Sequence, residues 1–149
     1  MNFFSNSKSL GILGGGQLGK MLLYVTRKWD IKTYVLDPSE DCPAKLACNF
    51  FFKGDLSDFD TVYKFGKQVE TLTIEIENVN VEALEKLEKE GVRVFPQSNV
   101  IKTIKNKCVQ KDFFKKNKIP TSNFNIYKNI DQIKKDLLNK KITFPFIWK

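Results

Sequence analysis

The sequence of 149 residues contains no histidine. That absence removes the commonest general base and the commonest zinc ligand together. Its three cysteines, Cys42, Cys48 and Cys108, are an odd number without metal-ligand spacing, so no metal site and no disulfide framework is expected of them. No apolar run approaches the roughly 20 residues of a bilayer span. Residues 1–9 hold one lysine and no apolar core of the kind a signal peptide needs. These absences predict a soluble, cytoplasmic protein with reduced thiols and no membrane partner. Arginine is scarce as well: of 25 basic residues only Arg27 and Arg93 are arginines, so the net charge of +8 rests on lysine. The lysines are densest after Lys102, on segments that also read as amphipathic helices. This is the pattern of a solvated face, and no nucleic-acid partner is expected; acidic small substrates such as nucleotides account for part of the excess.

What the chain does have is core material, with 42% hydrophobic residues and 13 phenylalanines. Short apolar runs at 10–13, 33–36, 50–52, 72–76 and 92–95 read as strands. Amphipathic stretches at 17–29, 59–68 and 81–90, and a short turn at 44–48, lie between them, and Gly91 supplies a helix stop. Such alternation predicts an α/β fold, a doubly wound parallel sheet covered on both faces. Pro96-Gln97-Ser98 ends the pattern. Residues 99–117 then read as two helical pieces broken near Asn106, 124–127 as a strand, 130–138 as a helix and 144–149 as a last strand. Two domains are expected, 1–98 and the beginning of another at 99–149. An unpaired apolar strand at the tip of the chain predicts a truncated second domain.

The most informative local feature is Gly14-Gly15-Gly16-Gln17-Leu18-Gly19-Lys20, directly after the first strand. A strand that breaks into a glycine turn and restarts as a helix exposes backbone N–H groups at the positive end of that helix. The spacing Gly14-x-Gly16-x-x-Gly19, with Asp37 after the second strand, also satisfies the dinucleotide fingerprint. Taken alone, it points to NAD.

Two further signals point elsewhere. In Thr73-Ile74-Glu75-Ile76-Glu77-Asn78-Val79 an otherwise apolar fourth strand carries acids at alternate positions, beside the glycine loop at the ligand end of a parallel sheet. A carboxylate there is costly unless something donates to it, so Glu75 is a candidate ligand residue, whereas Glu77 and Asn78 read equally well as caps of the next helix. Lys107 opens a helix and Lys149 closes an apolar strand, a placement that aims an ammonium at a phosphate.

In this order the motifs resemble the 5-(carboxyamino)imidazole ribonucleotide synthase family of ATP-grasp carboxylases. The similar segments are the glycine loop through Met21, Leu36-Asp37-Pro38 with Cys42-Pro43-Ala44, the fourth-strand motif, Phe95-Pro96, Asn106-Lys107, and Phe144-Pro145-Phe146-Ile147-Trp148-Lys149. The resemblance implies a Rossmann-like preATP-grasp domain followed by the start of an ATP-grasp domain. It implies a ligase of purine biosynthesis that uses ATP, Mg²⁺ and bicarbonate to carboxylate aminoimidazole ribonucleotide, releasing ADP and phosphate. Lys107 and Lys149 would then bind ATP, and Gln17, Leu18 and Glu75 the ribonucleotide, while Asp37 has no assigned role. Catalytic groups, magnesium ligands and the ATP flap would lie beyond Lys149, so the fragment itself would be inactive, and the complete enzyme a homodimer. Relatives often carry arginine where Lys107 stands. The alternatives are the formate-dependent glycinamide ribonucleotide transformylase, which usually has Glu in place of Gln17 and Ala in place of Asn78, and an NAD-binding Rossmann domain.

Overall fold

A computed structural model describes residues 8–148. Five parallel strands, β1 (Ser9–Leu13), β2 (Lys32–Asp37), β3 (Phe50–Lys53), β4 (Thr71–Ile74) and β5 (Arg93–Phe95), form one sheet in the order β3-β2-β1-β4-β5. The chain winds outward from β1 to β3, then crosses back to lay β4 on the other side of β1. That reversal opens a crevice at the carboxyl ends of β1 and β4, the topological switch point of the sheet. Leu13 pairs with Ile74 there, and Glu75 N–H donates to Leu13 C=O at 2.8 Å.

Alternation along the strands sends side chains to both faces. Leu13, Leu36 and Leu72 face a core shared with Val62 and Phe65 of α2 (Phe59–Gly66), Leu84 and Leu87 of α3 (Val81–Lys89), and Ile101 of α4 (Ser98–Lys105). Ile12 and Val35 face the opposite side, where Leu23 of α1 (Gln17–Arg27) and Ala44 cover them. Each fully buried leucine of this kind contributes about 1.5–3 kcal/mol. Helix α1 buries only Gly19, Leu23 and Thr26, and exposes Leu18, Met21, Leu22 and Val25 on another side.

The helix starts have side-chain causes. Asp58 accepts from Thr61 N–H at 2.8 Å to open α2, and Asn80 accepts from Ala83 N–H at 2.9 Å to open α3. Asn80, not Glu77 or Asn78, is therefore the cap of α3. Gly91, at φ +90°, stops α3, and Val92 N–H returns to Leu87 C=O. Buried Ser98 donates through N–H and hydroxyl to the Glu88 carboxylate, at 2.8 and 2.5 Å, which holds α4 on α3.

The chain divides into two compact units, one ending at Lys105 and the other starting at Asn106. In the second, Asn106 caps α5 (Lys107–Lys116) by accepting from Cys108 and Val109 N–H, and Asn129 caps α6 (Ile130–Leu138). Neither 124–127 nor 144–148 forms a strand, contrary to the sequence expectation; Lys149 lies outside the described residues. Apolar β-prone runs become strands only when a neighbouring backbone pairs with them. No described backbone pairs with these.

Candidate functional site

The glycine loop connects β1 to α1 at the crevice. Gly14 adopts φ +101°, a conformation that needs glycine, and its N–H donates to Leu36 C=O at 2.9 Å. Gly16 is the N-cap residue of α1; it has no side chain to cap with, and the first turn carries no acid. The N–H groups of Gln17 and Leu18 thus open the helix without a side-chain acceptor, and both residues are exposed. An acceptor or anionic group of a ligand is suited to them.

Glu75 completes the site from the other side of the crevice. Strand β4 ends at Ile74, so Glu75 is the first residue beyond it, and the period-two reading that paired it with Glu77 does not hold. Glu77 and Asn78 lie in the following bend and are exposed; Glu75 is half-buried. Its carboxylate lies against the glycines: a Cβ added at Gly16 would sit 2.5 Å from Oε1, and one at Gly14 would sit 2.7 Å from Oε2. A Cβ at Gly19 would meet Gly14 C=O at 3.0 Å. The glycine-only surface therefore admits the carboxylate of Glu75. No described side chain or backbone group donates a hydrogen bond to it, so it presents an acceptor to whatever enters the crevice.

This arrangement conflicts with the dinucleotide reading at two atoms. The cradle that would take a pyrophosphate is shared with a carboxylate, which repels one. The acid that would hold a ribose hydroxyl is turned inward: Asp37 Oδ2 accepts from Gly15 N–H at 2.7 Å and Oδ1 from Ser39 N–H at 2.8 Å. Around it the 38–48 segment packs on the loop. Ala44 N–H donates to Gly15 C=O at 2.9 Å, and a Cβ at Gly15 would lie 2.5 Å from Cys42 Sγ. Burial, reinforced by the charge of Asp37, pushes the Cys42 thiol above its ordinary range; burial does the same for Cys48. Both are free, neutral packing residues.

Sequence reasoning placed Gln17, Leu18 and Glu75 in one site, and the structure brings the glycine loop and Glu75 together. It missed Asp37, Cys42 and Ala44 as supports. The string Asp37-Pro38-Ser39 carries the signature of an Asx turn, which accounts for the Ser39 bond. Nothing local announces the bond to Gly15, 22 residues away. Lys107 is the exposed first residue of α5, in the second unit, and Lys149 is outside the described residues. Among the described residues no cluster of three or more His, Cys, Asp or Glu could hold a metal ion. No helix described is long and apolar enough to cross a membrane.

Residues 7–105 match the model of the ribonucleotide synthetase preATP-grasp domain. The chain belongs to the ribonucleotide synthetase preATP-grasp family. The chloroplastic phosphoribosylaminoimidazole carboxylase of Vigna aconitifolia is 42% identical over 102 residues, which is 68% of this chain and 18% of that protein. Among solved structures, the carboxyaminoimidazole ribonucleotide synthase of Aspergillus clavatus complexed with ATP superposes with a TM-score of 0.82 at 30% identity, over 94% of this chain and 37% of that one. The enzyme of the same organism in complex with ADP and 5-aminoimidazole ribonucleotide gives 0.71 at 36% identity, over 79% of this chain and 31% of that one. The chain thus spans well under half the length of these preATP-grasp relatives. Their likeness confirms the parallel α/β fold expected from the strand and helix alternation.

Proposed function

We propose that this chain supplies the ribonucleotide-binding, amino-terminal part of an ATP-dependent carbon–nitrogen ligase of purine biosynthesis. The reaction is the carboxylation of 5-aminoimidazole ribonucleotide with bicarbonate to the 5-carboxyamino product, with ATP converted to ADP and phosphate. The observation that carries this reading is the Glu75 carboxylate seated on Gly14 and Gly16 with no donor among the described residues. It calls for a ligand that donates hydrogen bonds on one side and accepts them on the other. An amino-substituted ribonucleotide has donors on its amine and ribose hydroxyls for Glu75, and acceptors for the Gln17 and Leu18 amides.

Solved relatives in complex with ATP and with aminoimidazole ribonucleotide support the substrate pair. In this reading Glu75 and the Gln17 side chain hold and orient the ribonucleotide, and Leu18 contributes its backbone N–H. Lys107 and Lys149 are assigned to ATP phosphates in the ATP-grasp domain that begins in the second half of the chain. Magnesium supplies charge neutralisation on the phosphates when bound; the acids that hold it belong to a part of the ligase outside residues 8–148. Cytoplasmic location and assembly of the complete enzyme as a homodimer go with the same reading. Gln17 and Asn78 favour the carboxylating ligase over the formate-dependent transformylase.

Calorimetric titration of the chain with 5-aminoimidazole ribonucleotide, ATP and NADH tests the proposal. Ribonucleotide binding is expected to weaken about tenfold or more in Gln17→Ala and in Glu75→Ala, the effect of losing one hydrogen bond to a charged group. Binding of NADH with no response to the ribonucleotide overturns it. So does loss of ATP affinity, rather than ribonucleotide affinity, in the two variants.

A further inference from the structure

Gly15 is held from three sides by groups of one segment, the one that closes β2 and follows it. Asp37, at the end of β2, takes its N–H at 2.7 Å; Ala44, in the turn after it, gives an N–H to its carbonyl at 2.9 Å; Cys42 Sγ fills the space a Cβ on Gly15 would occupy. The neighbouring Gly14 is tied by its own N–H to Leu36 C=O, one residue before Asp37. The backbone from Leu36 to Ala44 therefore templates the path from Gly14 to Gly15. From Gly16 onward the loop makes no such contact: Gly16 has no capping side chain, and Gln17 and Leu18 are exposed.

We infer that Asp37 is a positioning residue. Its carboxylate fixes the Gly15 amide and thereby sets the direction in which the Gln17 and Leu18 amides meet a ribonucleotide. The inference rests on the proposed ribonucleotide reading for its ligand, and on the Gly15 and Ser39 hydrogen bonds for its mechanism. A carboxylate is the group suited to this place, because two N–H donors converge on it and each oxygen serves one. Asparagine has the same shape but only one acceptor oxygen, so one of the two donors must face an NH₂. Glutamate keeps the charge but is one methylene too long for the 2.7 Å contact.

Asp37→Asn and Asp37→Glu, prepared in the full chain with ¹⁵N labelling, test this. In Asp37→Glu the Gly15 amide, and in Asp37→Asn whichever of the Gly15 and Ser39 amides is left facing the NH₂, should exchange with solvent at least about tenfold faster, as expected once its acceptor is lost. Backbone order parameters at Gly15, Gln17 and Leu18 should fall, while sheet amides such as those of Val35 and Leu72 keep their protection. Titration with 5-aminoimidazole ribonucleotide, followed by amide shifts, should show affinity reduced several-fold in both variants. Unchanged Gly15 exchange in Asp37→Glu overturns the clamp. Faster exchange with unchanged ribonucleotide affinity overturns the positioning role, and full rescue by glutamate shows that charge alone matters and does the same. If the unsubstituted chain shows no shift at Gln17, Leu18 or Glu75, the ribonucleotide reading fails, and the positioning of a ribonucleotide with it.

Discussion

The two units of the chain use similar helices to different ends. In the first, α1, α2 and α3 each bury three residues, and they close on a sheet whose strands supply the facing surface. In the second, α5 buries none and α6 buries only Ile133, while Val109, Phe113, Ile126, Leu138 and Phe144 remain exposed. Both α5 and α6 are well capped by asparagine, so local signals are not what separates the units. The difference is partnership. An amphipathic helix stabilises a fold only through the surface it covers, and the described residues of the second unit form no paired sheet to cover.

The sharpest test of that contrast is truncation of one leucine in each unit. Leu84→Ala in α3 removes a side chain with no exposure and should cost about 2–5 kcal/mol in urea denaturation. Leu138→Ala in α6, where the side chain is 84% exposed, should stay within about 0.5 kcal/mol. Comparable losses at the two sites would show that the second unit owns a core of its own.

A smaller effect separates two glycines of one loop. Gly14→Ala must place a Cβ at φ +101° and should cost about 1–3 kcal/mol. Gly16 has φ −70°, which any residue adopts, so Gly16→Ala meets only the movable end of Glu75. It should leave the midpoint of unfolding nearly unchanged yet weaken ribonucleotide binding as much as Glu75→Ala does. Stability losses of equal size at the two positions would mean that the backbone, not the Glu75 carboxylate, limits both.

The smallest expected effect is on pH dependence, and it has opposite signs in the two units. Lys67, helped by the Tyr63 hydroxyl, holds the Glu90 carboxyl below its ordinary value, and hydrogen bonds from Thr61 do the same for Asp58. A folded value below the unfolded one gives stability that is present above the unfolded value and is lost as pH falls through the folded one. The first unit should therefore weaken on acidification through and below the ordinary carboxylate range. In the second unit, burial and the neighbouring Asp136 raise the Tyr127 phenol. That stabilisation is complete below the unfolded value and is lost as pH rises through the folded one, so this unit should weaken in alkali. Glu90 and Lys67 are exposed, so half-molar salt should flatten the Glu90 part of the acid limb. An acid limb unchanged in Lys67→Ala would remove that pair from the account.

The same contrast explains what could be read from the residues alone. Strands β1 to β5 and helices α1 to α3 were legible to within one or two residues, because each has an apolar face matched by another in the same unit. The break at Asn106 was legible because an asparagine cap is a local signal. The runs at 124–127 and 144–148 were not, since β propensity describes a surface waiting for a neighbour. In the site, the glycine spacing marks a loop at a helix start, whereas the assignment of Gln17 and Leu18 to a ribonucleotide is what the family resemblance implies. The bond from Asp37 to Gly15 depends on two strands lying side by side, and that juxtaposition belongs to the sheet rather than to any segment.

Division at Lys105 also distributes the tryptophans. The chain has two, Trp29 just after α1 and Trp148 near the carboxyl end, and each is at least half exposed. Each unit therefore carries its own fluorophore. With Trp148 replaced by phenylalanine, emission reports the sheet and its helices; with Trp29 replaced, it reports the segment from Asn106 onward. Two optical channels on one polypeptide can then show whether the halves melt in step or one after the other.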